Sequence, residues 1–173
     1  MKSIILTIIV LIACGNVSYA QNSDSQKAKA AAQTFYKKYL PTFGYPYKSD
    51  LRKLRPYLSP NLYSLVANEI RRMRLWTAKN PNDKPPVIDD LFVCNHEEPA
   101  ARFRVGEAIL KNKTAVVTTH FDYIEKEKIY ATCKTESLFV QKSGRWLLDN
   151  IAFDDDVDLK TLLSRREYDV LPQ

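Results

Sequence analysis

The stretch "RFRVGEAILKNKTAVVTTHFDYIE", Arg102–Glu125, is where the chain changes from a helical to an alternating pattern, and its reading decides the fold. Phe103, Val105 and Ile109 share one parity before Asn112-Lys113, and Ala115, Val117, Phe121 and Tyr123 share one parity after it. Alternation of this kind marks strands with one buried face. A two-residue break between two such runs marks a hairpin. Strands are therefore expected over 102–110 and 114–125. The pattern continues through 129–142, turns at Ser143-Gly144 and closes over 145–153. Connections this short cannot cross over, so about four strands should form an antiparallel meander.

Upstream, the period is helical. Ala28, Ala32, Phe35 and Tyr39 recur on one face of a helix expected over 25–40, which Pro41 stops. Gly44 and Pro46 break the aromatic loop "TFGYPYKSD", and 51–57 reads as a short helix. Ser59 then caps a longer helix with Pro60 at its first position. Leu62, Val66, Ile70, Met73 and Trp76 form its buried stripe. Beyond the strands, "VDLKTLLSRR" follows three aspartates and reads as a short last helix, with acids at its positive N-terminal end. The class is α+β: N-terminal helices packed on one face of an antiparallel sheet, with a short C-terminal helix.

Residues 1–20 stand apart from this pattern. Lys2 precedes an apolar run from Ile4 to Ile12, shorter than the ~20 residues that span a bilayer, and the segment reads as an export signal. Ser18-Tyr19-Ala20 offers cleavage before Gln21, which the small-residue rule favours. "LIAC" offers a lipobox instead, with residues 1–13 removed and Cys14 lipidated. Residues 21–173 fit one domain with a single core. With Cys14 removed or lipidated, Cys94 and Cys133 remain, and in an oxidising compartment two cysteines pair most simply with each other. The chain carries 26 basic and 20 acidic residues, mixed along its length, and its arginines lack a stacking motif. Nucleic acid is therefore not an expected partner. The periplasm or the exterior is the expected location, and the membrane is reached only through a lipid at Cys14.

The helix, the loop, the "YLSPNLYSLV" segment, "DDLFVC" and the closing "GRWLLDNI" together resemble an exported bacterial domain family of uncharacterised function, which includes YbjP-type lipoproteins. This family is similar to the nuclear transport factor 2-like, or cystatin-like, cone fold. The resemblance covers nearly all of residues 21–173. It implies a curved sheet wrapped around a long helix, with a cavity at the open end. Proteins of that shape include ketosteroid-isomerase-like enzymes, ligand binders and protein-binding modules, so fold alone does not select a function.

Several residues are candidates for chemistry. Cys94, His96, Glu97 and Glu98 stand close together in "LFVCNHEEP", but a zinc site needs three or four ligands at recognisable spacing and no second cluster follows. Neither a metal nor a cofactor is expected. His120 and Asp122 share a strand face, as an oriented general base requires, but theirs is the more polar face and should meet water or a partner. Glu107 has the parity of Phe103, Val105 and Ile109, which aims it inward unless Gly106 marks a bulge. Asp149 has the same ambiguity between Leu147 and Ile151. A carboxylate in an apolar cavity would have a raised pKa and could serve as a base. Tyr36, Tyr39, Tyr45, Tyr47, Tyr57 and Tyr63 all fall in the helical half, beside Phe43. Aromatics with polar tips suit a binding surface, for which Tyr45, Tyr47, Tyr57 and Tyr63 are the candidates, or they fill the core.

Two functions follow. One is a non-enzymatic module of the cell envelope that binds a protein or small ligand, of inhibitor or immunity type. The other is a small cone-fold enzyme or ligand carrier, ketosteroid-isomerase-like, using Glu107 or Asp149. Both require export. The intact mass of the exported protein should correspond to a chain starting at Gln21 or at a lipidated Cys14, and a full-length cytoplasmic product would refute the export signal.

Overall fold

The computed structural model describes residues 23–42, 51–82, 91–94, 100–153 and 157–164. Helix α1 occupies 23–39 and tightens into a 3₁₀ turn at Leu40–Thr42. Helix α2, Leu51–Leu54, passes into a second 3₁₀ turn at Arg55–Tyr57. Helix α3 spans Pro60–Lys79, strand β1 Arg102–Lys111, β2 Thr114–Glu125, β3 Lys128–Lys142 and β4 Arg145–Ala152. Helix α4 is Leu159–Ser164. The sheet order is β1-β2-β3-β4, all antiparallel, as the alternation and short turns require. Among the described residues no helix is long and apolar enough to cross a membrane.

The turns set the register. Ser143 and Gly144 both have positive φ, the backbone twist that suits a two-residue hairpin. Lys126 and Glu127 adopt the same twist between Glu125 and Lys128, although neither side chain favours it. There the long β2–β3 pairing imposes the turn on the sequence.

The inner face of the sheet carries Ala115, Val117, Phe121 and Tyr123 of β2 and Phe139 of β3, all buried. Helix α1 covers it with Ala28, Ala32, Phe35, Tyr36 and Tyr39. The Tyr36 ring meets Phe121 edge-on at 5.1 Å and lies 5.9 Å from Phe103. Phe92 inserts beside the same helix, with edge contacts to Phe35 at 5.2 Å and Tyr39 at 4.9 Å. Each such pair adds about 0.5–1.5 kcal/mol beyond its buried area.

Both sheet edges are partly covered. Ser25 Oγ donates to the Ala108 carbonyl on β1 at 2.9 Å, and the Ser59 amide donates to the Leu148 carbonyl on β4 at 2.8 Å. Ser59 also accepts from the Leu62 amide at 3.1 Å, so one residue caps α3 and ties its start to the sheet. The α3 stripe follows the expected spacing through Leu62, Val66, Ile70 and Met73, while Trp76 is only half-buried. Glu69 is buried too, paired with Arg72, whose guanidinium also donates to the Leu163 carbonyl at 3.0 Å and so holds α4.

Cys94 and Cys133 form the expected disulfide, with Cα atoms 6.3 Å apart. It ties the buried Leu91–Val93 segment to the middle of β3, and the Tyr123 hydroxyl donates to the Cys94 carbonyl at 3.4 Å. Replacing both cysteines by serine should cost on the order of 2–5 kcal/mol. Denaturant unfolding with and without reductant measures this, and an unchanged midpoint would remove the disulfide from the list of what holds the fold.

Candidate functional site

The polar groups under α1 come from strand positions that alternation assigns to the core. Thr119, Thr135 and Ser137 share the inner face with Val117, Phe121 and Phe139, and all three are buried. Register sets Thr119 opposite Thr135, and Val117 opposite Ser137. The Tyr36 hydroxyl descends onto this row, 2.8 Å from Ser137 Oγ and 3.4 Å from Thr135 Oγ1. Thr119 Oγ1 is buried with no hydrogen-bond partner among the described residues. The cluster is neutral. It can orient a polar group by hydrogen bonds, but it contains no carboxylate or imidazole to take a proton.

The two carboxylates whose parity left them between the inner face and a bulge both lie at bulges. The β1–β2 register shifts between Val105 and Ala108, so Ala108 turns inward opposite Val117 and Ile109 turns out, 70% exposed. Glu107 is carried outward by this bulge, and its Oε1 lies 2.6 Å from Lys29 Nζ on α1, with the side chain 78% exposed. This corrects the inward parity read for Glu107 and Ile109. Gly106 permits the bulge, since a Cβ there would sit 3.1 Å from the Thr118 carbonyl oxygen. A second shift, on β4, sets Leu148 opposite Phe139 and Asn150 opposite Leu138, leaving Asp149 as the extra residue. Asp149 pairs with Lys160 of α4 at 2.5 Å.

Beside it, Asp158 caps α4, accepting from the Thr161 amide at 3.0 Å, the Thr161 hydroxyl at 2.7 Å and the Asn150 side chain at 2.8 Å. Burial pushes the Asp158 carboxyl up. The bonds from Thr161, Asn150 and the Lys160 amide outweigh it and hold the group below its ordinary value. This chemistry is structural: it locks α4 onto β4.

His120 is exposed on the outer face of the sheet, as expected. Asp122 is not: it is buried and accepts from Arg104 Nη2 at 3.1 Å. Its partner is the cross-strand arginine rather than His120, so the imidazole is not oriented by this carboxylate. Of the tyrosines proposed for binding, Tyr57 and Tyr63 are half-buried against the core, and the Arg55 guanidinium stands 5.7 Å from the Tyr63 ring centre. Tyr45, Tyr47, Cys14, His96, Glu97 and Glu98 lie outside the described residues. Among the described residues no three His, Cys, Asp or Glu side chains gather as a metal site would need.

The sequence marked the face of His120 as the one that meets water or a partner, and register assembles the rest of it. Ile109, Val116 and Leu138 stand side by side across β1, β2 and β3, with Val140 in the next row. Arg104, His120 and Lys134 form another cross-strand row, while Lys142 and Arg145 are paired at the far end. Strand parity could have suggested these residues, but the bulge at Gly106 decides that Ile109 joins them.

The inner-face hydroxyls are separable by substitution. Tyr36→Phe should destabilise by about 1–2 kcal/mol, because it strips a partner from Ser137 and Thr135, whereas Thr119→Val should be near neutral or stabilising. Equilibrium urea unfolding measures both, and equal losses would contradict the hydrogen bonding described. No protein-family model, curated protein or solved structure matches this chain.

Proposed function

We propose that this chain is a non-enzymatic binding module of the cell envelope, exported and engaging a protein or a small ligand in the manner of an inhibitor or immunity protein. The observation that carries the reading is the placement of ionised groups. Glu107 is exposed and paired with Lys29, Asp149 is paired with Lys160, and among the described residues the polar groups that meet the Tyr36 hydroxyl are hydroxyls alone. An acid–base catalyst needs a titrating group aimed at the reacting atom, held where desolvation tunes it. Hydroxyls set in an aromatic surround serve recognition instead. The disulfide supports export, since such bonds persist in oxidising compartments.

One observation favours the second reading, a cone-fold enzyme or ligand carrier: Thr119 Oγ1, buried and unpartnered on the inner face, is a hydrogen-bonding group that a ligand could satisfy. The two readings separate in cells. Glu107→Gln and Asp149→Asn should leave the phenotype of the intact gene unchanged. If either reproduces the full deletion phenotype while the protein stays folded and abundant, the enzymatic reading replaces the binding module.

A further inference from the structure

We propose that the outer face of the sheet docks on an anionic lipid surface, with Ile109 and its apolar neighbours entering the headgroup boundary and the flanking cations meeting lipid phosphates. This goes beyond the partner-binding reading and does not depend on it.

The apolar row Ile109, Val116, Leu138 crosses three strands on the face opposite α1. Ile109 is the most exposed large apolar residue described, at 70%. Cations bracket the row along the strand direction. Arg104 and Lys134 stand on one side, and Lys111, Lys142 and Arg145 on the other, all exposed. Lys142 and Arg145 face each other across β3 and β4, an arrangement of like charges that destabilises a sheet unless an anion lies between or above them. Of the acids on this face, Asp122 is buried under Arg104, and Glu136 stands exposed between the rows.

Spacing selects the partner. From Lys134 to Lys142 along β3 is roughly 26 Å, and four strands span about 14 Å across. Screening in physiological salt acts over about 8 Å, so no single acidic side chain or phosphate can engage both cationic ends. An extended surface of uniform negative charge can engage all of them at once. Each Lys or Arg near such a surface strengthens binding about fivefold. Ile109, exposed beside the half-buried Val116 and Leu138, adds an insertion that a purely electrostatic contact lacks.

Residues 21–173 contain every described element and suit the test, because they exclude the apolar leader. The probe is co-sedimentation with vesicles of phosphatidylcholine containing phosphatidylglycerol, against phosphatidylcholine alone. Binding is expected only to the anionic vesicles, falling steeply as salt is raised. Lys142→Gln with Arg145→Gln should weaken it tenfold or more, by roughly fivefold per cation. Ile109→Ser should weaken it about threefold to tenfold by removing the inserted side chain. Arg71→Gln with Arg74→Gln, exposed on α3, should leave it within about twofold, and this separates the sheet face from net charge. Near-UV circular dichroism checks that each variant is folded. Equal binding to both vesicle types, no binding to either, or an equal loss in the α3 variant would each overturn the proposal. So would salt-sensitive capture of an acidic polypeptide such as polyglutamate without vesicle binding.

Discussion

The contact between α1 and the inner face of the sheet is the constraint from which the rest follows. A single antiparallel sheet with Val117, Phe121, Tyr123 and Phe139 on one face must bury that face against something. Helix α1 supplies Phe35, Tyr36 and Tyr39 at a spacing that keeps all three on one side. Tyr36 has a double task. Its ring packs edge-on to Phe121, and its hydroxyl bonds Ser137, so the helix is fixed both across and along the strands. Apolar packing alone tolerates sliding. A hydroxyl pair at 2.8 Å does not.

That contact leaves the Leu91–Val93 segment only one place to go. Phe92 packs edge-on against the stacked pair Phe35 and Tyr39, and the chain then reaches Cys94 beside the middle of β3. The disulfide therefore closes a connection that the aromatic packing has already aimed. It joins sequence-distant parts of one core rather than stapling a surface loop. Ser59 plays a comparable role at β4, where one residue ends the edge of the sheet and begins α3.

Much of this was legible in the sequence, for stated physical reasons. Alternation through 102–153 is a property of exposed and buried faces, and it located all four strands to within a residue or two. Ser59-Pro60 marked the start of α3 because capping is local chemistry. The bulges were not legible to the same degree. Gly106 raised the question, but whether a glycine bends a strand depends on the partner strand, here Thr118 across the pair. Asp149 carried the same ambiguity with no glycine beside it, and it is displaced where β4 pairs with β3 on one side while Leu58 and Asp158 bridge to the strand on the other. Tyr36 was visible as an aromatic on a helix. Its hydrogen bonds to β3 join residues about a hundred positions apart, a separation no local pattern reports.

The bulges also decide what chemistry the fold can host. A regular β1 would have aimed Glu107 at the inner face, where Tyr36, Thr135 and Ser137 offer hydroxyls but no cation. An ionised carboxylate there would lose its hydration without a charged partner, at several kcal/mol, and would stay protonated instead. One extra residue near Gly106 moves that carboxylate to Lys29, and one in β4 moves Asp149 to Lys160. Among the described residues the row under Tyr36 therefore keeps hydroxyls alone, while the buried carboxylates Glu69 and Asp122 lie elsewhere, each paired with an arginine. The same shift near Gly106 turns Ile109 out between cations, so one irregularity both removes an acid from the core and shapes the open surface.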